Sequence, residues 1–173
     1  MGEVVSIHIV RQRHGEVEAV ERATVGTNYG LQGDWRSRRN RSGQLTLIEA
    51  EALTEVEQLL GMLIPPGSSR RQVVVSGIRL NDQIGQRLRI GEVGVFVEAP
   101  CDPCTRMEET IGAGARLALE GRGGVRCFVL AGGELRVGDS IVEEPFLEPL
   151  SARTSPHVRL MAKSSRESSQ PMG

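Results

Sequence analysis

Two cysteines three positions apart form the most reactive motif in the sequence. Cys101 and Cys104 are separated by Asp102 and Pro103. Such a pair is typical of half a zinc site, of a dithiol that cycles with a disulfide, or of one functional thiol beside a bystander. A structural zinc site needs four ligands, and the remaining candidates are scattered along the chain. They are His8, His14, His157 and Cys127.

Of the two thiols, Cys104 has the sequence context of a reactive one. Pro103 is typical of the first turn of a helix, where free backbone N–H groups and the helix dipole stabilise a thiolate. Arg106 adds a positive charge, whereas Asp102 opposes ionisation. Burial as small apolar side chains stays open for both cysteines of the pair. Cys127 lies in an apolar run and is predicted to be a core residue.

Arginines crowd two loops of the predicted structure. The first group comprises Arg36, Arg38, Arg39 and Arg41, and the second comprises Arg70 and Arg71 within the run 68–72, which ends at Gln72. Guanidinium groups, hydroxyls and backbone N–H groups of such loops are the donors that bind an anionic small molecule. A solvated basic surface explains any single arginine equally well. Two such groups, with a candidate thiolate in a third loop, favour an anion-binding pocket.

The glycine-rich segment 30–35 precedes the first arginine group and ends in Asp34 and Trp35. It does not join a strand to a helix, so it is not a phosphate-binding glycine fingerprint. We expect it to shape the rim of a pocket, with Asp34 as a hydrogen-bond acceptor. Trp35, the only tryptophan, is predicted to fill the core or to cover a flat ring.

The composition of the 173-residue chain excludes several classes of function. Only 3% of the residues are aromatic and the formal net charge is -1, which argues against nucleic acid as a partner. The single lysine, Lys163, lies in a Ser-rich tail, so we expect no covalently bound pyridoxal phosphate on this chain. No apolar run approaches the ~20 residues that span a bilayer. We therefore predict a soluble cytoplasmic protein with no membrane partner.

Short strands separated by glycines dominate the pattern. Alternating hydrophobicity predicts eight or nine strands, among them one over 16–25 and one over 125–131. Apolar spacings of three and four predict two or three helices, chiefly over 49–60 and over 105–120, the latter broken or bent near residues 112–114. So few helices cannot cover two faces of a parallel sheet, which favours a mainly β fold, a closed or nearly closed β-barrel. We expect the barrel domain over residues 1–144 and a flexible C-terminal extension over 145–173.

The order of these motifs resembles the MOSC family, named after the C-terminal domain of molybdenum cofactor sulfurase. The resemblance spans residues 4–142 and rests on the order of its pieces. They are Gly33-Asp34, the turn Pro66-Gly67 leading to Gln72-Val73, residues 85–91, Pro103-Cys104, residues 122–124 and Gly138-Asp139. Many relatives have His at the position of Arg36 and Asn at that of Gln72.

The resemblance implies a MOSC-like barrel that binds the molybdenum pterin cofactor. It implies that Cys104, at the Pro-Cys position, ligates molybdenum or carries sulfur. Cofactor contacts are implied for Asp34, Arg36, Arg39, Arg70 and Gln72. The chemistry agrees, since a soft thiolate suits such a metal and guanidinium groups suit a phosphate.

Two activities are compatible with that cofactor, and each needs a partner protein. In the first, Cys104 is a permanent metal ligand in the reduction of N-hydroxylated small-molecule substrates, with electrons from a donor protein. In the second, Cys104 carries a persulfide to the cofactor, and a cysteine desulfurase supplies the sulfur. The rival class is a non-catalytic or redox-regulatory anion-binding module with a Cys101/Cys104 dithiol. The sequence therefore leaves open whether the protein is an oxidoreductase, a sulfur transferase or not an enzyme.

Overall fold

Segments rich in valine, isoleucine and leucine become strands wherever apolar and polar residues alternate. The computed structural model describes residues 1–38 and 43–145. Its strands are β1 Gly2–Val10, β2 Val17–Val20, β3 Arg22–Gly26, β4 Gly30–Leu31, β5 Leu45–Glu49, β6 Val73–Ser76, β7 Arg87–Ile90, β8 Val93–Pro100, β9 Val125–Ala131, β10 Gly133–Arg136 and β11 Ser140–Glu144. The helices are α1 Ala50–Leu60, α2 Thr105–Ile111 and α3 Ala115–Ala118, with 3-10 turns at Trp35–Arg38 and Leu80–Gln83.

Seven of these strands close a barrel in the order β1, β6, β5, β9, β8, β7 and β11, and β11 pairs with β1 again. Strands β5 and β6 are parallel because α1 crosses between them, and the other neighbours are antiparallel. The two ends of β1 pair with different strands, since Gly2 and Glu3 lie opposite β11 and residues 7–10 lie opposite β2. The predicted mainly β barrel is confirmed.

The barrel interior is filled by aliphatic side chains of the inward-facing strand positions, such as Leu45, Leu47 and Val95. Cys127 lies among them with 0% exposure, as predicted. A second, smaller core joins the helices to the outside of the barrel. It contains Ile48, Val56, Val74, Met107, Ile111, Ala115 and Leu119.

The observed helices lie within the predicted helical stretches. Helix α1 begins one residue later than predicted and ends at Leu60, where Gly61, with a φ of 63°, forms a left-handed cap. The helical stretch predicted over 105–120, with a break or bend near residues 112–114, is two short helices, because Gly112 and Gly114 adopt φ values of 143° and 89° that interrupt it. Helix α2 therefore ends soon after Cys104.

The strand count also exceeds the prediction. The predicted strand over 16–25 is two strands, because β2 pairs with β1 whereas β3 joins β10 and β4 in a separate three-stranded sheet. The predicted extension lies outside the described residues, apart from Pro145. Of the helices in the described ranges, none combines the length and the apolar character that a membrane crossing requires.

Candidate functional site

The Cys101–Cys104 segment connects the end of β8 to the start of α2. Cys104 is the residue before the first helical turn, with an extended backbone, and its carbonyl oxygen accepts the Glu108 N–H at 3.1 Å. Its thiol is free and exposed, whereas that of Cys101 is free and half-buried. Burial raises the pKa of the Cys127 thiol in the barrel interior. Cys104 is therefore the cysteine that a ligand or a partner reaches first.

A buried arginine holds this segment in place. The side chain of Arg71 donates from Nε to the carbonyl oxygen of Gly123 at 2.7 Å. Its Nη2 donates to the carbonyl oxygens of Cys101 at 2.8 Å and Asp102 at 3.0 Å. Burial lowers the pKa of the Arg71 guanidinium, and the neighbouring Cys101 and Cys104 side chains act in the opposite direction. Three carbonyl groups next to Cys104 thus depend on one side chain.

The neighbouring Arg70 has a different environment. Its φ of 62° places a non-glycine residue in the left-handed region, which is a strained conformation. Its carbonyl oxygen accepts a hydrogen bond from Nη1 of Arg36 at 3.2 Å. Its own Nη1 donates to the carbonyl oxygen of Gly15, in the β1–β2 turn, at 2.9 Å. The left-handed conformation sends adjacent arginines in different directions, Arg71 into the protein and Arg70 towards the β1–β2 turn.

Several charges act on Arg70. Partial burial lowers the pKa of its guanidinium, and the positive charges of Arg106 and Arg36 lower it further. Asp34 and Cys104 raise it. The structure therefore brings Asp34, Arg36, Arg70, Cys104 and Arg106 into one neighbourhood. We call these five residues and Arg71 the Cys104 cluster.

Asp34 and Arg36 form the most completely paired part of this cluster. The fully buried carboxylate accepts from Nε of Arg36 at 2.8 Å and from Nη2 at 3.1 Å. It also accepts the backbone N–H groups of Arg36 at 2.9 Å and Val10 at 3.1 Å. Asp34 is thus a hydrogen-bond acceptor, and Arg36 positions the Arg70 backbone. Direct contact of either with a cofactor stays a prediction, and Arg39 lies outside the described residues.

Two buried donors, one on Gln72 next to Arg71 in the chain and one on Arg106 of the Cys104 cluster, have no partner among the described residues. One is Nε2 of Gln72, whose Oε1 accepts the Thr46 N–H at 3.0 Å. The other is Nε of Arg106, whose Nη2 donates to the carbonyl oxygen of His14 at 3.3 Å. Unpaired buried donors are uncommon and favour an acceptor-rich ligand such as a phosphate or a pterin. In this respect the residues present fit the implied cofactor.

The donor set also decides what kind of metal centre is possible. In residues 1–38 and 43–145, no group of three or more His, Cys, Asp or Glu side chains could hold a metal ion. A metal bound at Cys104 would therefore take most of its ligands from a cofactor.

Beside the Cys101–Cys104 segment, a cavity of about 590 Å³ is lined by Asp102, Pro103 and residues of α2 and α3. Such a volume suits a small molecule.

Sequence reasoning did not single out Arg71 or assign a ligand role to Arg106. The run 68–72 contained the signal for Arg71, since two adjacent arginines before a buried strand cannot both face solvent easily. Asp34 stands two positions before Arg36, which was the signal for their ion pair. Trp35 is half-buried at the start of a 3-10 turn.

Comparisons with known proteins agree with this architecture. The YuaD protein from Bacillus subtilis has a TM-score of 0.70 at 18% identity, over 82% of this chain and 94% of that chain. YiiM from Geobacillus stearothermophilus has a TM-score of 0.65 at 18% identity, over 84% and 76%. YiiM from Escherichia coli has a TM-score of 0.63 at 16% identity, over 85% and 72%. These similarities show a shared fold.

A comparison with curated proteins finds no match. The family model described as the MOSC domain, however, matches residues 12–142. That range contains the barrel strands β5 to β9, the Arg70–Arg71 turn and the Cys101–Cys104 segment. The chain therefore belongs to the MOSC domain family.

Proposed function

We propose that this MOSC domain binds the molybdenum pterin cofactor, with the Cys104 thiolate as the protein ligand of the metal. The observation that carries the proposal is the exposed, free Cys104 thiol close to the guanidinium groups of Arg70 and Arg71. A soft thiolate suits molybdenum, and guanidinium groups suit the phosphate of the cofactor.

The residues of the Cys104 cluster and the neighbouring Gln72 have separate tasks in this proposal. Arg70 uses one N–H on Gly15 and has further donors for a phosphate. Gln72 and Arg106 offer the buried N–H groups that lack a partner in the described chain. Arg71 holds the backbone on which Cys104 stands. When bound, the cofactor supplies two-electron oxidation–reduction chemistry at the metal.

Of the two activities compatible with the cofactor, we propose reduction of an N-hydroxylated small molecule. A sulfur carrier must move its thiol between a donor and an acceptor. Here the carbonyl groups of Cys101 and Asp102 are tied to the buried Arg71, which restrains such movement. A fixed thiolate suits a permanent metal ligand better. Electrons would come from a donor protein.

Metal content tests the proposal. The full chain and the variants Cys104→Ser and Cys101→Ser are expressed in a host that makes the cofactor, and molybdenum is measured by mass spectrometry. We expect molybdenum in the wild type and in Cys101→Ser, and little in Cys104→Ser. Equal contents in both variants would contradict the ligand assignment, and a wild type without molybdenum would contradict cofactor binding.

Two further measurements separate the alternatives. A persulfide on Cys104, seen as the added mass of one sulfur atom after incubation with a cysteine desulfurase, would favour the carrier role over reduction. Thiol counting after mild oxidation tests the dithiol module. A reversible loss of two thiols in a protein that holds no molybdenum would favour that module.

A further inference from the structure

A second cavity lies away from Cys104, outside the barrel wall. It has a volume of about 170 Å³ and lies between β1, α1 and the turn that follows α1. Leu53, Ile64 and Val74 form part of its apolar wall. Its polar lining consists of Ser6, His8, Thr54, Glu57 and Ser69. No residue of the Cys104 cluster lines it.

His8 gives this cavity its clearest sign of a ligand. The residue is 3% exposed, and its backbone N–H donates to the carbonyl oxygen of Gln72 at 2.7 Å. Its Nε2 is 2.9 Å from Oγ of Ser6, but its Nδ1 has no partner among the described residues. Gly67 faces this nitrogen, and a Cβ atom there would stand 2.9 Å from it. A side chain at position 67 would crowd this buried, unpaired nitrogen and also Cγ1 of Val17, which lies 2.4 Å from the same Cβ position.

The charge of the cavity indicates which ligand would fit. Among its lining residues, His8 and Glu57 are the ionisable side chains. Burial lowers the pKa of His8, which favours the neutral imidazole. The half-buried Glu57 uses Oε1 to accept the Ile64 N–H at 2.9 Å and keeps further acceptor capacity. A neutral histidine and one carboxylate give a negatively charged cavity rich in acceptors.

We propose that this cavity binds a small organic cation, a primary amine or an amidine with a short hydrocarbon group. Its N–H groups donate to the Glu57 carboxylate and to Nδ1 of His8, in the tautomer whose Nε2 donates to Ser6. Its hydrocarbon group packs against Leu53 and Ile64. The site is independent of Cys104 and of any bound cofactor.

Binding of n-butylamine to the full chain, followed by nitrogen NMR of the His8 imidazole at neutral pH, tests this proposal. We expect saturable shifts for n-butylamine, about tenfold weaker binding for uncharged n-butanol, and none for n-butyrate. The absence of saturable shifts with n-butylamine, or equal binding of n-butyrate, would overturn the proposal.

Two glycine variants test the space in front of Nδ1. Gly67→Ala places a methyl group 2.9 Å from Nδ1 and 2.4 Å from Cγ1 of Val17, which must shift, and it should abolish binding. Gly61→Ala has a similar left-handed φ, 63° against 76°, but nothing lies within 4 Å of the new methyl group, so it should bind normally. Retained binding in Gly67→Ala would contradict the site. If Gly67→Ala does not fold, Glu57→Gln decides, because it should weaken n-butylamine about tenfold and leave n-butanol unchanged.

Discussion

Backbone carbonyl groups are paired in one way in the barrel wall and in another way next to Cys104. In the wall, strands pair with strands, as β5 does with β9 at Leu45 and Cys127. Next to Cys104, the carbonyl groups of Cys101, Asp102 and Gly123 pair with the side chain of Arg71. The wall depends on many backbone bonds, whereas three carbonyl groups at the site depend on one side chain.

This difference separates the residues that stabilise the whole fold from the residue that positions the site. A substitution inside the barrel removes packing and affects the whole fold, because every strand shares the same core. A substitution of Arg71 removes hydrogen bonds from one segment and affects chiefly the position of Cys104. Four variants, from the largest expected effect to the smallest, test where that separation holds.

Leu47→Ala should have the largest effect on stability. Leu47 has 0% exposure in the barrel interior, so the substitution leaves a cavity and should lower the free energy of unfolding by about 3 kcal/mol. Urea unfolding measures this, with Leu59→Ala, 68% exposed on α1, as the control of small effect. In the folded Leu47→Ala protein, alkylation of Cys104 should proceed at the wild-type rate. An altered rate would show that the barrel interior and the site are coupled.

Arg71→Met should have a smaller global effect and a larger local one. Leaving carbonyl groups unpaired should lower the free energy of unfolding by about 2 kcal/mol. Alkylation at each cysteine, followed by mass spectrometry, shows the local effect. Cys101 should react several-fold faster because its segment is released, while Cys127 stays protected in the barrel. Arg122→Met, which removes an exposed ion pair with Glu55, is the control. Faster reaction of Cys127 would mean that Arg71 supports the whole fold.

The same contrast explains how much could be predicted from the sequence. Strand β9 was predicted at its observed bounds and α1 within one residue, because alternation and helical spacing are local signals. The separate pairing of β2 and β3 could not be predicted, since it depends on β1 and β10, which are distant partners.

The site was predictable in its members and less so in their tasks. Asp34, Arg36, Arg70 and Cys104 lie in one neighbourhood, while their contacts with a cofactor stay a prediction. Which of Arg70 and Arg71 turns inward depends on a left-handed φ at Arg70, and no local pattern indicates that conformation. The role of Arg71 follows only from carbonyl groups 30 and 52 positions away in the chain.

Arg70→Gly should change stability little and cofactor binding much. Glycine relieves the left-handed strain, about 1 kcal/mol, while the lost hydrogen bond to Gly15 costs a similar amount. We therefore expect a free energy of unfolding within about 1 kcal/mol of the wild type. Molybdenum content should fall, because a phosphate donor is gone. A large loss of stability would instead place Arg70 with Arg71 as a structural residue.

The smallest effect should come from His8→Phe. The backbone of His8 is paired as in the barrel wall, but its side chain is not. Its backbone N–H donates to the carbonyl oxygen of Gln72, just before β6, whereas its Nδ1 has no partner in the described chain. Burial lowers the pKa of His8 below the ordinary value of 6.5, so the unfolded chain takes up a proton before the folded one does. The free energy of unfolding should therefore fall as the pH drops below about 6.5 and level off below the folded pKa. Urea unfolding of the wild type and His8→Phe across this range should show a steeper loss in the wild type. Equal slopes of the free energy of unfolding against pH would mean that the folded chain does not disfavour protonation of the His8 side chain. The contrast between the barrel wall and the site would then rest on Arg71 alone.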